Sequence, residues 1–600
     1  MKNFIRPLAA ALILCSALSL VPTGASSVSA AQSLSVEQRI QKLHDLLNEQ
    51  WEYVLSTNPE YASILGDKRW NDKISDISFE AVQKNLAKTR DFLARFEAVD
   101  AAGFPEQEAL NKTLMVRGLK EQLEDARFKN WEMPVNQMGG LHIDTPQLAS
   151  ILQFTTVKDY DDYITRLKQL PLLFGQATVN MRSGMASGLM PPRFLLEKVV
   201  SQTENIAGQE PEKSPFGQPL ANFPKEVPAA EQERIRREMI TAIRDSVLPA
   251  YVKFAKFLKD EYMPKGRTEP GVWSLPDGAT RYTAAAKSST TTDLTPEQIH
   301  QIGIREVAEL EKQMLVIANK RGFKDLKTFN AAVEKNPDLR PRSREHILDI
   351  YRQHTDAMRK ELPKLFGRLP KADLVVMKVE EFRENEVSGA SYIPGAPDGS
   401  RPGRIMVNTA NHGQVKTISM ESTAYHEGLP GHHMQISIQQ ELPTLPTFRQ
   451  QGGYTVFIEG WGLYSERLGK EIGFYKDPYS DYGRLQDEML RAIRLVVDTG
   501  LHYKKWTREQ VVQFFRDHSA IDEIEIQRET DRYIVWPGQA LAYKIGQLKI
   551  IELRERAKKE LGNKFDIRQF HDEVLGAGAL PLEVLEARIN GWIGRVKGAK

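Results

Sequence analysis

Thr423-Ala424-Tyr425-His426-Glu427-Gly428-Leu429-Pro430-Gly431-His432-His433-Met434-Gln435 concentrates residues able to do chemistry. Three of the twelve histidines fall within it, and Glu427 directly follows the first. Neutral imidazole and carboxylate oxygen are zinc's preferred ligands when no thiolate is at hand, and a catalytic site keeps one coordination position open for water. In a regular H-E-x-x-H helix, two histidines one turn apart bind the ion and the glutamate serves as general base. Here the position one turn after His426 is Pro430. Proline binds no metal and removes the hydrogen bond back to the His426 carbonyl, so the helix must break or bulge. On an undistorted helix His432 lies well round the axis from His426. His433 aligns in angle but sits roughly 10 Å along it. A two-residue expansion at Pro430-Gly431 returns His432 to the place of the second ligand, and we prefer it, with His433 kept as the alternative.

The third ligand is expected from a carboxylate on a later helix. Glu459-Gly460-Trp461-Gly462-Leu463-Tyr464-Ser465-Glu466 offers Glu459 at the start of an amphipathic helix, flanked by glycines that allow tight packing. Glu466 lies two turns on, on the same face, where it can support a ligand histidine. The reading is therefore one zinc ion on His426, His432 (or His433) and Glu459, with Glu427 as base. Isolated histidines such as His44, His300, His346 and His571 read as packing residues.

These two segments resemble the bacterial family catalogued as domain of unknown function 885, whose hallmarks are H-E-x-x-P-G-H-H and E-G-W-x-x-Y-x-E. Residues 402–405, 498–502 and 533–546 look like further blocks of that family, so the resemblance spans most of the chain. The family in turn resembles the helical gluzincin peptidases. That resemblance implies a large, mainly α, zincin-like enzyme with a deep cleft, and it implies an oxyanion donor, tyrosine or histidine, well after the third ligand. Tyr533, Tyr543 and His502 are the candidates. Tyr543 is preferred, with Gln539 one turn before it; His502 follows Asp498 by one turn and can pair with it.

Substrate contacts are expected from the strand around residues 404–408, which ends at Asn408 and could take a peptide as an added strand. The loop that ends at Tyr392 is a second candidate, and Arg491 and Arg494 could meet a substrate carboxylate. The function expected is hydrolysis of peptide bonds. The alternatives are a zinc-binding protein without turnover and a metal hydrolase of other amides or esters. The sequence holds neither a G-x-S-x-G elbow nor a phosphate-binding G-x-x-x-x-G-K-[ST].

Long segments of helical periodicity must position these groups: residues 37–55, 79–96, 106–128, 158–187, 231–262 and 343–366. Thr295-Pro296-Glu297-Gln298 reads as a capped helix start. Strand signals are confined to residues 374–379 and 404–408, with a Gly/Pro/Ser-rich loop at 388–401 between them. The expected fold is mainly α with a small sheet beside the histidines. Residues 208–227 and 269–292 read as irregular. The chain therefore divides into 1–30, a signal peptide; 31–210, an N-terminal helical region; 211–292, an irregular linker plus helix; and 293–600, the catalytic region. Residues 31–600 could equally form one two-lobed domain.

Lys2 and Arg6, the apolar run 8–21 and Val28-Ser29-Ala30 form a secretory leader, with a run short for a bilayer span. Cleavage would remove Cys15, the single cysteine, and with it thiol catalysis and disulfides. It would also take the formal charge from +2 to zero, leaving no basic field for nucleic acid. The expected protein is exported, periplasmic or extracellular, with a peptide as partner and no stable membrane insertion.

Overall fold

A computed structural model describes residues 34–379, 384, 389–396, 401–410 and 412–598. The leader at 1–30 lies outside the described residues. Helices dominate, and most begin where the sequence supplies a cap. Ser35 caps Val36–Thr57 and Ser78 caps Phe79–Glu97, each accepting a hydrogen bond from the first turn. Thr295 and Gln298 form the expected reciprocal box at the start of Pro296–Lys320.

Proline modifies two long helical segments. The stretch expected as one helix over 158–187 divides into Val157–Leu167 and Leu170–Ser187, with Pro171 in the first turn of the second. The stretch 231–262 stays helical but widens to a π turn at Ile243–Val247, just ahead of Pro249, whose missing N–H leaves the preceding carbonyls without a regular partner.

Residues read as irregular over 269–292 include a helix, α1 (Gly278–Thr290). Its Gly, Thr and Ser content obscures the pattern. Burial of Tyr282, Ala286 and Thr290 at helical spacing decides the conformation. The helices that frame the histidines follow: α2 (Pro296–Lys320), α3 (Arg344–Leu365), α4 (Met420–Glu427), α5 (His432–Gln440), α6 (Thr455–Glu471), α7 (Pro478–His502), α8 (Glu523–Val535) and α9 (Ala542–Leu561).

One three-stranded sheet stands beside α4: β1 (Leu374–Lys378), β2 (Ala390–Ile393) and β3 (Gly403–Val407), in the order β1-β3-β2. β1 runs parallel to β3 with Leu374 opposite Gly403. β2 runs antiparallel with Ala390 opposite Val407. Two corrections follow. Part of the expected 388–401 loop is a strand, because its backbone completes the second edge of β3. And β3 is central, with both hydrogen-bonding edges taken, so a substrate strand cannot add to it. Its buried Ile405 and Val407 pack on Met420 and Ala424 of α4 and on Ile347 and Tyr351 of α3. The sheet thereby fixes the height and direction of the histidine helix.

Buried residues gather into several cores. One joins helices between Val135 and Tyr262; another draws α5, α6 and α9 together around Trp461. A third sets α2 against α7, where a side chain on Gly303 would meet Val496 at 2.7 Å. Among the described residues no helix is long and apolar enough to cross a membrane.

Candidate metal centre

α4 stops one residue after His426, at Glu427, and the chain turns through Gly428 to Gly431 before α5 begins at His432. A Cβ on Gly431 would lie 2.0 Å from the His426 carbonyl oxygen and 2.3 Å from that of Tyr425. Only glycine lets the backbone fold back this closely on the end of α4. The Pro430 carbonyl exposed by the break accepts a hydrogen bond from the Trp461 indole N–H at 2.9 Å. Helix α6 thus ties the distortion shut.

The break brings the two imidazoles face to edge, with ring centroids 4.7 Å apart. Nε2 of His426 lies 3.4 Å and Nε2 of His432 3.5 Å from Oε2 of Glu459. One donor atom from each of the three residues lies within 4.8 Å of the other two. Ligands about 2 Å from a tetrahedral zinc stand roughly 3.3 Å apart, so the measured spacings suit that ion. The donor set, two imidazoles and one carboxylate, is also the right chemistry for it.

Supporting contacts hold the histidines in place. His426 Nδ1 pairs with Glu466 Oε1 at 2.7 Å, which directs Nε2 towards Glu459. A side chain on Gly462 would meet the His426 ring at 2.8 Å, so a glycine is required where α6 passes the imidazole. Burial alone would lower the His426 pKa, but Glu459 and Glu466 outweigh it and push it up to about 10. Burial would raise the Glu459 carboxyl, yet His432 and His426 hold it well below the usual carboxylate range. The pocket therefore attracts positive charge, and a metal ion would take the place of a proton.

His433 points elsewhere. Its Nε2 donates to the Ala372 carbonyl at 3.1 Å, and its Nδ1 accepts from the Tyr392 hydroxyl at 3.0 Å. Burial lowers its pKa to about 4, so the ring is neutral. The residue pins α5 to the sheet across Gly403, where a Cβ would strike both rings' polar atoms at 2.6 Å. Tyr392 is accordingly committed to this tie. Asn408 caps a turn through Ala410 N and donates to the Glu384 carbonyl.

Glu427 is half-buried and makes no hydrogen bond or ion pair among the described residues. Tyr351 of α3 lies close enough to feel its charge, which adds to burial in raising the tyrosine pKa. Sequence reasoning missed Tyr351, because nothing in a helix 76 residues upstream signals this proximity. It also missed the Trp461 tie, although the indole sits inside the quoted motif.

His502 does not fit the expected catalytic part. Its Nδ1 accepts from Val272 N at 3.0 Å and its Nε2 donates to the Tyr533 carbonyl at 2.9 Å. Both nitrogens are used, and burial lowers its pKa to about 3. Nor does it pair with Asp498, which accepts from the Tyr282 hydroxyl at 2.7 Å and from Gly538 N. Tyr533 is locked to Glu529 and Arg494. Tyr543 differs: its oxygen accepts from Arg532 at 3.2 Å, and its own proton has no acceptor among the described residues. Gln539 accepts from the same arginine at 2.9 Å and, with Trp536, lines a cavity of about 620 Å³ that none of the three clustered residues touches. Arg494 is buried, paired with Glu529 at 2.9 Å.

Comparisons with known proteins agree with this fold. A protein of Colwellia psychrerythraea described as "the putative lipoprotein" is 29% identical, with a TM-score of 0.88 over 93% of this chain and 99% of that one. A "putative lipoprotein of unknown function" from Shewanella oneidensis shares the fold at 17% identity and a TM-score of 0.71, over 92% of this chain and 99% of the other. No curated protein matches. The family model described as "Bacterial protein of unknown function (DUF885)" matches residues 59–589, nearly the whole described chain, and the protein belongs to that family.

Proposed function

We propose that this protein is an exported zinc-dependent hydrolase of peptide bonds. The observation that carries the reading is the convergence of His426, His432 and Glu459 beside Glu427, a carboxylate with no partner among the described residues. A structural site needs ligands but has no use for a free carboxylate next to them. When bound, zinc supplies Lewis-acid polarisation of the substrate carbonyl and lowers the pKa of water. Glu427 takes the proton from the attacking water and passes it to the departing amine. Tyr543, its oxygen already engaged by Arg532, offers its O–H to the developing oxyanion. Glu466 holds the His426 ring in the tautomer that leaves Nε2 free. Export is supported by the leader and by the similar Colwellia psychrerythraea protein described as a "putative lipoprotein".

The test is metal analysis and peptide-library cleavage by the wild-type protein and by Glu427→Gln. The expected result is about one zinc per chain in both and cleavage slowed by roughly 10²–10⁴-fold in the variant. Wild-type protein that binds zinc and cuts no peptide would favour the non-catalytic alternative. Cleavage unaffected by Glu427→Gln would remove the proposed base.

A further inference from the structure

Three arginines converge on Tyr543. The Arg494 guanidinium carbon lies 4.6 Å and that of Arg491 6.0 Å from the ring centroid, while Arg532 donates to the hydroxyl. Acidic partners are too few for them. Glu529 serves both Arg494 and Arg532, at 2.9 and 3.2 Å. Among the described residues the acidic partner of Arg491 is Asp487, whose carboxylate lies 4.0 Å away and also takes the Ser422 hydroxyl, while Arg491 Nη1 donates to the Asp487 carbonyl at 3.1 Å. Among the described residues three buried donors of this cluster have no hydrogen-bond partner: Arg494 Nη1, Arg532 Nε and Arg491 Nε. Arg494 is only 5% exposed. Buried guanidinium N–H groups are ordinarily satisfied, and a surplus of them asks for an anion.

The helices that carry Arg491 and Tyr543 also pack against those that carry the metal ligands His426 and Glu459. Helix α4 packs on α7: Gly483 lies against the Ile418 carbonyl just ahead of α4, and Ser422 of α4 donates to Asp487 one turn later. The next turn of each helix sets Arg491 abreast of His426. On the other flank, Gly460 of α6 touches Gly546 of α9, with Tyr543 one turn before it and Glu459 adjacent to Gly460. A group bound by the arginines would therefore be held close to the three clustered ligands.

We infer that Arg491 and Arg532, flanking Tyr543 and braced by Arg494 and Glu529, form a subsite for a substrate carboxylate, so that the preferred substrates are peptides cut near a free C-terminus. The inference rests on the hydrolase reading above. Arginine's planar fork matches the two oxygens of a carboxylate, which a neutral amide cannot replace. The same fork would accept an acidic side chain, and the experiment separates the two sources.

Wild-type protein loaded with zinc is assayed on matched peptides ending in a free acid, in an amide, and in an amide with glutamate at the last position. The expected kcat/KM is about ten-fold or more higher for the free acid than for either amide. In Arg491→Gln that ratio should fall towards one through a rise in KM, with zinc content and melting temperature retained. Equal cleavage of acid and amide by the wild type would overturn the inference, as would a preference restored by the glutamate side chain. If no peptide is cleaved, calorimetry on zinc-loaded Glu427→Gln with an N-acetylated dipeptide and its amide still decides. Tighter binding of the acid supports the subsite even as the hydrolase reading falls, and equal binding removes the subsite.

Discussion

At the scale of single residues, the two adjacent histidines of α5 have opposite surroundings, and that difference is testable. His432 faces Glu459 at 3.5 Å, whereas both nitrogens of His433 are spent on Ala372 and Tyr392. His432→Gln should therefore abolish zinc binding with little change in folding. His433→Gln should keep the ion and lose about 1–3 kcal/mol of stability, because it strands two buried partners. Metal content set against the melting temperature separates the pair, and zinc lost from His433→Gln alone would reverse the assignment. Glu466 belongs to the same scale. The hydrogen bond of its carboxylate to His426 Nδ1 at 2.7 Å orients the ring, so Glu466→Gln should weaken zinc affinity by about 10–100-fold in a chelator competition.

At the scale of elements, the centre depends on how closely α6 can pass α4. Gly462 allows it: a methyl group there would sit 2.8 Å from the His426 ring, within a core that leaves little room for the ring to retreat. Gly462→Ala should cost roughly 1–3 kcal/mol of stability and displace His426, so that zinc affinity falls as well. Unchanged affinity in this variant would show that the ring has freedom the packing does not suggest. The same junction explains what sequence could and could not disclose. His426, Pro430 and Glu459 announce a broken helix and a later acid, because ligand types and proline geometry are local properties. The Trp461 bond to the Pro430 carbonyl is not local, since it depends on α6 lying across the break. Strand β2 escaped notice for a similar reason. Its four residues are enclosed by Ser388-Gly389 and Pro394-Gly395, whose turn composition hides them, and pairing with β3 makes them a strand. His502 misled because a histidine one turn after an aspartate resembles a catalytic pair, while its actual partners are backbone atoms of Val272 and Tyr533.

At the scale of the whole molecule, buried neutral histidines join distant parts of the chain and set how stability responds to acid. His502 links the segment before α1 to α8. His571 links α3 to α6, its Nδ1 donating to the Leu365 carbonyl and its Nε2 accepting from the Tyr464 hydroxyl, each at 2.8 Å. Burial lowers both to about 3, from an ordinary value near 6.5. In the folded protein these rings stay neutral while the unfolded chain takes up protons below pH 6.5. Their contribution is therefore present above that pH and lost as the pH falls towards 3, at roughly 1.4 kcal/mol per pH unit for each ring. Asp498 acts in the opposite sense. Burial raises its carboxyl to about 7, so its contribution is present below about pH 4 and lost as the pH rises through 7. Between pH 6 and 4 the two histidines outweigh the one acid, and the fold should weaken on acidification. Urea titrations of wild type and His571→Asn at pH 7, 6 and 5 isolate one ring. The variant should start less stable at pH 7, and its loss per pH unit below 6 should be smaller by about 1.4 kcal/mol. Parallel slopes would mean that His571 takes a proton inside the folded protein, which its two fixed hydrogen bonds, one accepted and one donated, do not permit.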